Sequence, residues 1–139
     1  MKNESLASSA VRSLIGWYHT QKFGIMPWRN TADPYKIWLS EIMLQQTKVN
    51  TVIPYYNRWI KKLPSIQSVS NAHQKTVLKL WEGLGYYQRV INFHFSCKII
   101  SKQYNGLVPS TPDSFIKLKG VGEYVCAAVQ SIAFNHQVA

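Results

Sequence analysis

Glu41 is the residue in this sequence whose type and setting are best suited to acid catalysis. It lies within the apolar run Trp-Leu-Ser-Glu-Ile-Met-Leu at positions 38–44, where the apolar residues have helical spacing. It is also one of only six acidic residues in a chain of formal net charge +10. Burial disfavours the charged form of a carboxyl group and so keeps a glutamic acid protonated near neutral pH. We therefore interpret Glu41 as a candidate general acid, with an exposed, solvated glutamate as the alternative.

Two glycine turns are candidates for contact with a nucleic acid. Residues 118–122 (Leu-Lys-Gly-Val-Gly) separate two predicted helices, as in a helix-hairpin-helix, whose free N–H groups bind phosphate without reading base sequence. Residues 83–87 (Gly-Leu-Gly-Tyr-Tyr) form a turn that presents apolar and aromatic side chains, as in proteins that open a base stack. The alternatives are a plain helix connection for the first turn and core tyrosines for the second.

The charge balance favours a polyanionic partner, most simply nucleic acid. The chain has 16 Lys and Arg against 6 Asp and Glu, and the basic residues are dispersed from one end to the other. This dispersion excludes a basic tail and permits a basic groove. Ordinary solubilising charge is the alternative.

Few features of the sequence suggest a metal site, a secreted protein or a membrane protein. Cys97 and Cys126 are too few and too far apart for a disulfide framework or a zinc site, so we expect two buried thiols. The four histidines show no metal-ligand spacing. With no signal-peptide pattern and no run of about 18 apolar residues, a soluble intracellular protein is expected, in the cytoplasm or nucleoid if it is bacterial.

The elements that must position these residues are helices. At 139 residues and 46% apolar content the chain is expected to fold as one globular unit, and strand patterns are nearly absent. We predict an all-α domain of six or seven helices. The predicted helices cover residues 5–21, 35–47, 49–62, a short helix through 76–81 capped by residues 68–71, 86–104, one through 115–118, and 123–134.

Five motifs, in this order, resemble those of the A/G-specific adenine DNA glycosylases, the MutY branch of the endonuclease III or helix-hairpin-helix superfamily. They are Pro-Trp-Arg at 27–29, Trp-Leu-Ser-Glu-Ile-Met-Leu-Gln-Gln-Thr at 38–47, Val-Ile-Pro-Tyr-Tyr at 52–56, Gly-Leu-Gly-Tyr-Tyr at 83–87 and Gly-Val-Gly at 120–122. The resemblance runs from about Trp17 to Ala139. It implies a six-helix barrel over residues 24–139 with the helix-hairpin-helix at 114–134. It also implies a separate N-terminal helix at 1–23, which in the family packs against C-terminal helices.

The resemblance implies a role for each matched residue. Glu41 matches the catalytic acid that protonates the flipped adenine at N7, and Tyr124 matches a tyrosine of the catalytic pocket near the sugar. The other matched positions line the adenine pocket (Trp28, Arg29), fill or flank the gap opposite 8-oxoguanine (Gln46, Thr47, Leu84, Tyr86), and grip phosphate (Gly120, Val121, Gly122). Lys119 departs from the family, which commonly has proline there, and we expect it to add a phosphate contact.

Three features of the family are missing from these 139 residues. They are an aspartate in a Val-Asp-Gly-Asn-like segment, which stabilises the positively charged sugar, the four cysteines of a [4Fe–4S] cluster, and a C-terminal domain that helps recognise 8-oxoguanine. We therefore expect the amino-terminal portion of a longer enzyme, truncated before the iron–sulfur cluster domain. On this view the chain itself has no cofactor, and the cluster belongs to the full-length protein.

The implied activity is base excision repair. The chain is expected to derive from an N-glycosylase that removes adenine mispaired with 8-oxoguanine or guanine in duplex DNA, with weak turnover or binding alone in these residues. One alternative is a mismatch thymine DNA glycosylase of the same superfamily, which can also have tyrosine at the position of Tyr124. The other is a non-catalytic helix-hairpin-helix DNA-binding fragment. Apolar residues along the first helix also predict self-association.

Overall fold

The described part of the protein is entirely helical. The computed structural model describes residues 2–20 and 26–137, with side-chain environments from residue 6 onward. These residues form eight α-helices and no strand, which confirms the all-α prediction. The helices are α1 (Lys2–Thr20), α2 (Pro34–Leu44), α3 (Val49–Lys62), α4 (Ile66–Asn71), α5 (Gln74–Trp81), α6 (Gln88–Gln103), α7 (Pro112–Phe115) and α8 (Glu123–Phe134).

The ends of α2 and α6 differ from the prediction for the same physical reason. Asp33 caps the start of α2 by accepting a hydrogen bond from the Tyr35 N–H, and Pro34 occupies the first turn. The helix was predicted to reach about Thr47, but it ends at Leu44, because Gln45 turns to an extended conformation and the next residue, Gln46, has a φ of 60°. Likewise, α6 begins two residues later than predicted because Tyr86 has a φ of 48°. A left-handed residue cannot continue a right-handed helix.

The segment between Pro64 and Trp81 is two helices, and the prediction of one was wrong. Residues 68–71 were expected to cap a helix, but they lie inside α4, which begins at Ile66. Ser65 and Ser68 cap that helix reciprocally, each side chain bonding to the other residue's backbone N–H. The His73 Nδ1 atom then accepts a hydrogen bond from the Lys75 N–H and starts α5. The Ser-x-x-Ser pattern at 65–68 was the available signal for the extra helix.

Aromatic side chains from five helices meet in the core around Phe93 of α6. The Trp38 ring of α2 packs edge-on against Phe93 at 4.6 Å and against Phe115 of α7 at 5.3 Å between ring centroids. Trp59 of α3 packs edge-on against both Phe93 and Trp81 of α5. Each edge-on aromatic pair adds about 0.5–1.5 kcal/mol to the stabilisation from burial. These ring contacts pack α2 against α6 and α7, and α3 against α5 and α6.

Tyr35 has a structural role at the start of α2. Its ring is buried, its hydroxyl accepts a hydrogen bond from Trp59 Nε1 at 2.9 Å, and it donates to the Leu63 carbonyl at 2.5 Å. One hydroxyl thus satisfies two buried polar groups and ties α2 to both the interior and the end of α3. Cys97 and Cys126 are buried free thiols, as expected.

The first helix displays apolar side chains on its surface. Leu6, Leu14 and Trp17 are each more than half exposed. Its predicted end at Gln21 and Gly24 lies outside the described residues. Within residues 2–20 and 26–137, no helix has the length and apolar character needed to cross a membrane.

Candidate active site and DNA-facing surface

Glu41 lies in the middle of α2, on the side that faces α8. Its carboxyl group is partly buried, and burial is the main reason that its pKa is raised above the ordinary value of 4.5. The hydroxyl of Tyr124 and the positive charge of Arg29 act in the opposite direction and lower that pKa. A carboxyl group with a raised pKa keeps its proton over a wider pH range. This is the property that a general acid needs.

Tyr124 and Arg29 reach Glu41 from two other segments of the chain. Tyr124 is on the first turn of α8 and 68% exposed, and the charge of Glu41 is the main cause of its raised pKa. Arg29 is exposed in the loop before α2. Packing of α2 against α8 therefore brings Tyr124 to Glu41, and the loop before α2 brings Arg29 to the same carboxyl group, although Arg29 and Tyr124 lie about 95 positions apart in sequence.

Trp28 is placed differently from its neighbour. Its side chain is buried and packs edge-on against the Tyr56 ring of α3 at 5.3 Å between centroids. In this conformation Trp28 supports the loop that carries Arg29. It does not offer a free face to a base.

The residues of the predicted hairpin form a tight turn between α7 and α8. The Val121 N–H donates to the Leu118 carbonyl, Gly120 has a φ of 82°, and Gly122 caps α8 without a side chain. A Cβ on Gly120 would lie 2.8 Å from Asn92 Cβ, so both conformation and space call for glycine there. Gly120 and Gly122 are exposed, whereas Val121 is buried and anchors the turn. The first helix of the pair, α7, ends at Phe115, short of the predicted Leu118.

Two segments expected to face the base stack lie at the end of α2 and the start of α6. We call residues 45–47 the Gln bend and residues 83–87 the Gly-Tyr turn. Gln46 is exposed and Thr47 half-buried, and Tyr86 is 63% exposed. Leu84 was expected to project with Tyr86, but it is 7% exposed. In this conformation Leu84 is a core residue, whereas the Tyr86 side chain projects from the surface.

Arg89 connects these two segments, and the sequence reading did not single it out. Its Nη1 atom donates to the carbonyl oxygens of Ile42 at 2.6 Å and Gln45 at 2.5 Å. Its guanidinium also lies over the rings of Trp81 and Tyr86, 5.2 and 5.3 Å from their centroids. An arginine in the first turn of a helix, two residues after a pair of tyrosines, was the only sequence signal for this contact.

Two of the cavities in the described residues lie beside these segments. A small cavity of about 150 Å³ lies between the end of α2, α6 and the hairpin, with Gln45, Arg89, Asn92 and Lys119 in its wall. A larger one, of about 750 Å³, is lined by other residues, from Lys62 to Tyr87. Glu41 lines neither of them; its partly buried carboxyl group lies where α2 packs against α8.

The described residues do not provide a cluster site. Among them no group of three or more His, Cys, Asp or Glu side chains is placed to hold a metal ion. The two cysteines of the sequence are buried in different helices, α6 and α8. Four thiolates are needed for a [4Fe–4S] cluster, so the residues present do not fit one.

An all-helical domain with a glycine hairpin ahead of its last helix, and a carboxyl group between α2 and α8, defines the class of helix-hairpin-helix DNA repair proteins. The family model of the HhH-GPD superfamily of base excision DNA repair proteins matches residues 39–135. The chain belongs to this superfamily.

The chain is also similar to individual proteins of known name and to a solved structure. The chain is 43% identical over 124 residues to the adenine DNA glycosylase of Buchnera aphidicola subsp. Baizongia pistaciae, covering 89% of this chain and 35% of that protein. It is 40% identical over 137 residues to the adenine DNA glycosylase of Mus musculus, covering 91% and 26%. It thus spans about a third or less of these curated relatives. Among solved structures, a thermostable thymine-DNA glycosylase superposes with a TM-score of 0.87 at 26% identity, covering all of this chain and 64% of that one.

Proposed function

We propose that this chain forms the adenine-excising part of a base excision repair N-glycosylase, acting on adenine opposite 8-oxoguanine or guanine in duplex DNA. The observation that carries the proposal is the partly buried Glu41 carboxyl, with its raised pKa, beside Tyr124 and Arg29. The 36–43% identity to adenine DNA glycosylases across bacterial, animal and plant relatives supports adenine as the base.

The proposed chemistry uses Glu41 as a general acid. A neutral carboxyl group donates its proton to N7 of a flipped adenine, which makes the base a better leaving group as the bond from the sugar breaks. The electron pair of that bond leaves with the base, positive charge develops on the sugar, and a water molecule then adds to the sugar carbon and loses a proton to complete the hydrolysis. The Tyr124 hydroxyl is close enough to Glu41 to orient the carboxyl group. The 139 residues contain no Asp-Gly-Asn segment to stabilise the sugar cation, so we expect slow turnover from this chain alone.

The proposed DNA surface combines a phosphate grip with a stack-opening edge. The exposed Gly120 and Gly122 place the free N–H groups of the first turn of α8 at the surface, and Lys119 adds positive charge beside them. Gln46, Thr47 and Tyr86 are proposed to fill the gap that the flipped adenine leaves. The net charge of +10 favours association with duplex DNA.

Single-turnover base release tests this proposal. The 139-residue chain is incubated in excess over a duplex containing adenine opposite 8-oxoguanine, and free adenine is quantified with time. We expect slow release that Glu41→Gln abolishes, with duplex binding retained. Glu82→Gln is the matched control, because it removes the same charge from an exposed glutamate whose partner is Lys79. Equal release by wild type and Glu41→Gln would contradict the assignment of the acid.

Two other functions are tested by the same assay. A mismatch thymine glycosylase is favoured by the structural likeness to a thymine-DNA glycosylase, and it requires thymine release from a thymine–guanine mismatch. The other candidate is a DNA-binding module without catalysis, which predicts tight duplex binding with no base release. Duplex binding without base release would favour the DNA-binding module over either glycosylase.

The remaining parts of the proposal concern cofactors, location and assembly. A [4Fe–4S] cluster in a longer protein would need cysteines that these 139 residues do not provide. An intracellular location follows from the proposed DNA substrate. The exposed apolar side chains of α1 lead us to expect self-association of the isolated chain. A single monomer peak in size-exclusion chromatography at high concentration would contradict that expectation.

A further inference from the structure

Two residues of the proposed DNA-facing edge have a backbone conformation that their side chains disfavour. Among the described residues, four that are not glycine have positive φ: Gln46 at 60°, Tyr86 at 48°, Asn105 at 54° and Asn135 at 55°. Asparagine tolerates this left-handed region, whereas glutamine and tyrosine rarely adopt it. A strained residue of this kind costs conformational free energy and persists only where the surrounding structure enforces it. Something must therefore hold Gln46 and Tyr86.

Arg89 contacts the peptide group directly before each strained residue. Its Nη1 atom donates at 2.5 Å to the carbonyl oxygen of Gln45, which belongs to the peptide bond that leads into Gln46. Its Nη2 atom lies 3.4 Å from the carbonyl oxygen of Gly85, which leads into Tyr86. One guanidinium thus spans two turns that lie about 40 residues apart in sequence.

The other contacts of Arg89 fix its own orientation. Nη1 also donates to Ile42 at the carboxyl end of α2, where the negative end of the helix dipole favours a cation. The rings of Trp81 and Tyr86 both lie against the guanidinium. Its guanidinium donates to four backbone carbonyl oxygens, those of Ile42, Met43, Gln45 and Gly85, and burial lowers its pKa. The planar guanidinium of arginine, with its several N–H donors, can bond to all of these carbonyl oxygens, whereas a lysine ammonium cannot.

We propose that Arg89 is a positioning residue that holds the Gln bend and the Gly-Tyr turn as one rigid edge for insertion into the DNA base stack. The coupling of the two turns rests on the geometry alone. Its consequence for DNA rests on the proposed function. Arg89 is assigned no contact with DNA or with the reacting atoms.

Amide hydrogen exchange on the free 139-residue chain tests the coupling. Arg89→Lys keeps the charge and removes the fork, and we expect it to speed exchange at the Thr47 and Leu84 amides about tenfold, equivalent to about 1.4 kcal/mol. Those two N–H groups donate within the two turns, to Leu44 and to Trp81. Exchange at both amides that matches the wild-type rates would overturn the proposal.

Arg58→Lys is the matched control. Arg58 also stacks on a tyrosine, 4.7 Å from the centroid of Tyr55, and donates to one carbonyl, that of Pro54 on its own helix. It joins no two segments, so we expect its replacement to leave exchange at Thr47 and Leu84 unchanged. Equal acceleration by both variants would assign the effect to loss of any stacked guanidinium, and would overturn the specific role of Arg89.

A double-mutant cycle decides the matter if Arg89→Lys lowers global stability too far for local exchange to be read. Gln46→Gly removes the conformational cost of a positive φ at the Gln bend. If Arg89 holds that strained residue, the loss of unfolding free energy from Arg89→Lys is smaller in the Gln46→Gly background than in wild type. Strict additivity of the two changes would overturn the proposal.

A DNA readout separates this inference from the proposed function. The duplex has 2-aminopurine in place of the adenine opposite 8-oxoguanine, and its fluorescence rises when the base leaves the stack. We expect the wild-type rise to fall several-fold in Arg89→Lys, with affinity for undamaged duplex and its salt dependence unchanged. No rise with wild type would contradict the proposed function and leave the exchange result to decide the coupling. A wild-type rise that Arg89→Lys fully retains would overturn the role of Arg89 at the DNA.

Discussion

Glu41 on α2 and Tyr124 at the start of α8 each shift the ionisation of the other. The charge of Glu41 is the main reason that the pKa of Tyr124 is raised, and the Tyr124 hydroxyl lowers the pKa that burial has raised in Glu41. The contact joins two helices whose packing places Glu41 at the surface between them. Because Tyr124 is largely exposed, a change at this residue alters the pKa of Glu41 without disturbing the core.

Tyr124→Phe is expected to raise the pKa of Glu41 further. The substitution removes a hydroxyl that stabilises the carboxylate and leaves the burial of Glu41 in place. The protonated form of Glu41 therefore becomes more stable relative to the carboxylate. The pKa is measured by following the carboxyl carbon of Glu41 by NMR as a function of pH. Tyr86→Phe is the control, since it removes the hydroxyl of another exposed tyrosine on a different turn. An unchanged or lowered Glu41 pKa in Tyr124→Phe would refute this prediction.

Glu41→Gln is expected to stabilise the protein at neutral and alkaline pH. The folded state holds the Glu41 proton more tightly than the unfolded chain does, so ionisation costs stability as pH rises above the ordinary pKa of 4.5. The neutral amide avoids this cost, and the gain should vanish below about pH 4.5. We expect Tm to rise by a few degrees at pH 8, on the scale of about 2–8 °C per kcal/mol.

Thermal unfolding of Glu41→Gln at several pH values provides that measurement. The control is Glu82→Gln, because the Glu82 carboxyl is fully exposed and its pKa is lowered by Lys79. It is expected to leave Tm nearly unchanged, since exposed ion pairs contribute little. A lower Tm for Glu41→Gln at pH 8 would mean that the ionised carboxylate stabilises the fold, contrary to the pKa direction.

Gly120→Ala is expected to destabilise the fold by about 1–3 kcal/mol. The new methyl group would meet Asn92 Cβ at 2.8 Å, and the residue would remain at a φ of 82°. Gly122→Ala is the matched control from the same hairpin, since Gly122 has a φ of −90° and open space around it. Urea unfolding gives both free energies. Similar losses for the two alanines would show that the hairpin is not held in this conformation.

Lys119→Gln is expected to reduce the salt dependence of duplex binding. If Lys119 neutralises one phosphate, its loss lowers the slope of log affinity against log salt by about 0.9. Lys102→Gln is the control, because Lys102 lies in the last turn of α6, about 9 Å along the helix axis beyond Ser96, which donates to the Lys119 carbonyl oxygen. Identical slopes for wild type and Lys119→Gln would remove Lys119 from the phosphate grip.

The helical content and several helix ends were predictable from local chemistry. Helix α3 starts at Val49 and ends at Lys62, and α8 covers Glu123–Phe134, as the spacing of apolar residues and the position of Pro64 and Gly122 indicated. The ends of α2 and α6 were not predictable, because Gln46 and Tyr86 adopt positive φ against their own preference. At the end of α2, Arg89 donates a hydrogen bond to the Gln45 carbonyl oxygen directly before Gln46, and this contact joins residues 44 positions apart in sequence.

The sequence by itself determined an all-α fold, a basic chain, the glycine hairpin and the choice of Glu41 as candidate acid, because helix periodicity, charge and turn chemistry are local properties. Only the tertiary structure decided the surroundings of these residues. Packing of α2 against α8 brings Tyr124 to Glu41, burial of Leu84 and Trp28 removes them from the surface, and Arg89 joins two turns. Burial and the pKa of a carboxyl group depend on neighbours from distant segments, and no local pattern in the chain specifies those neighbours.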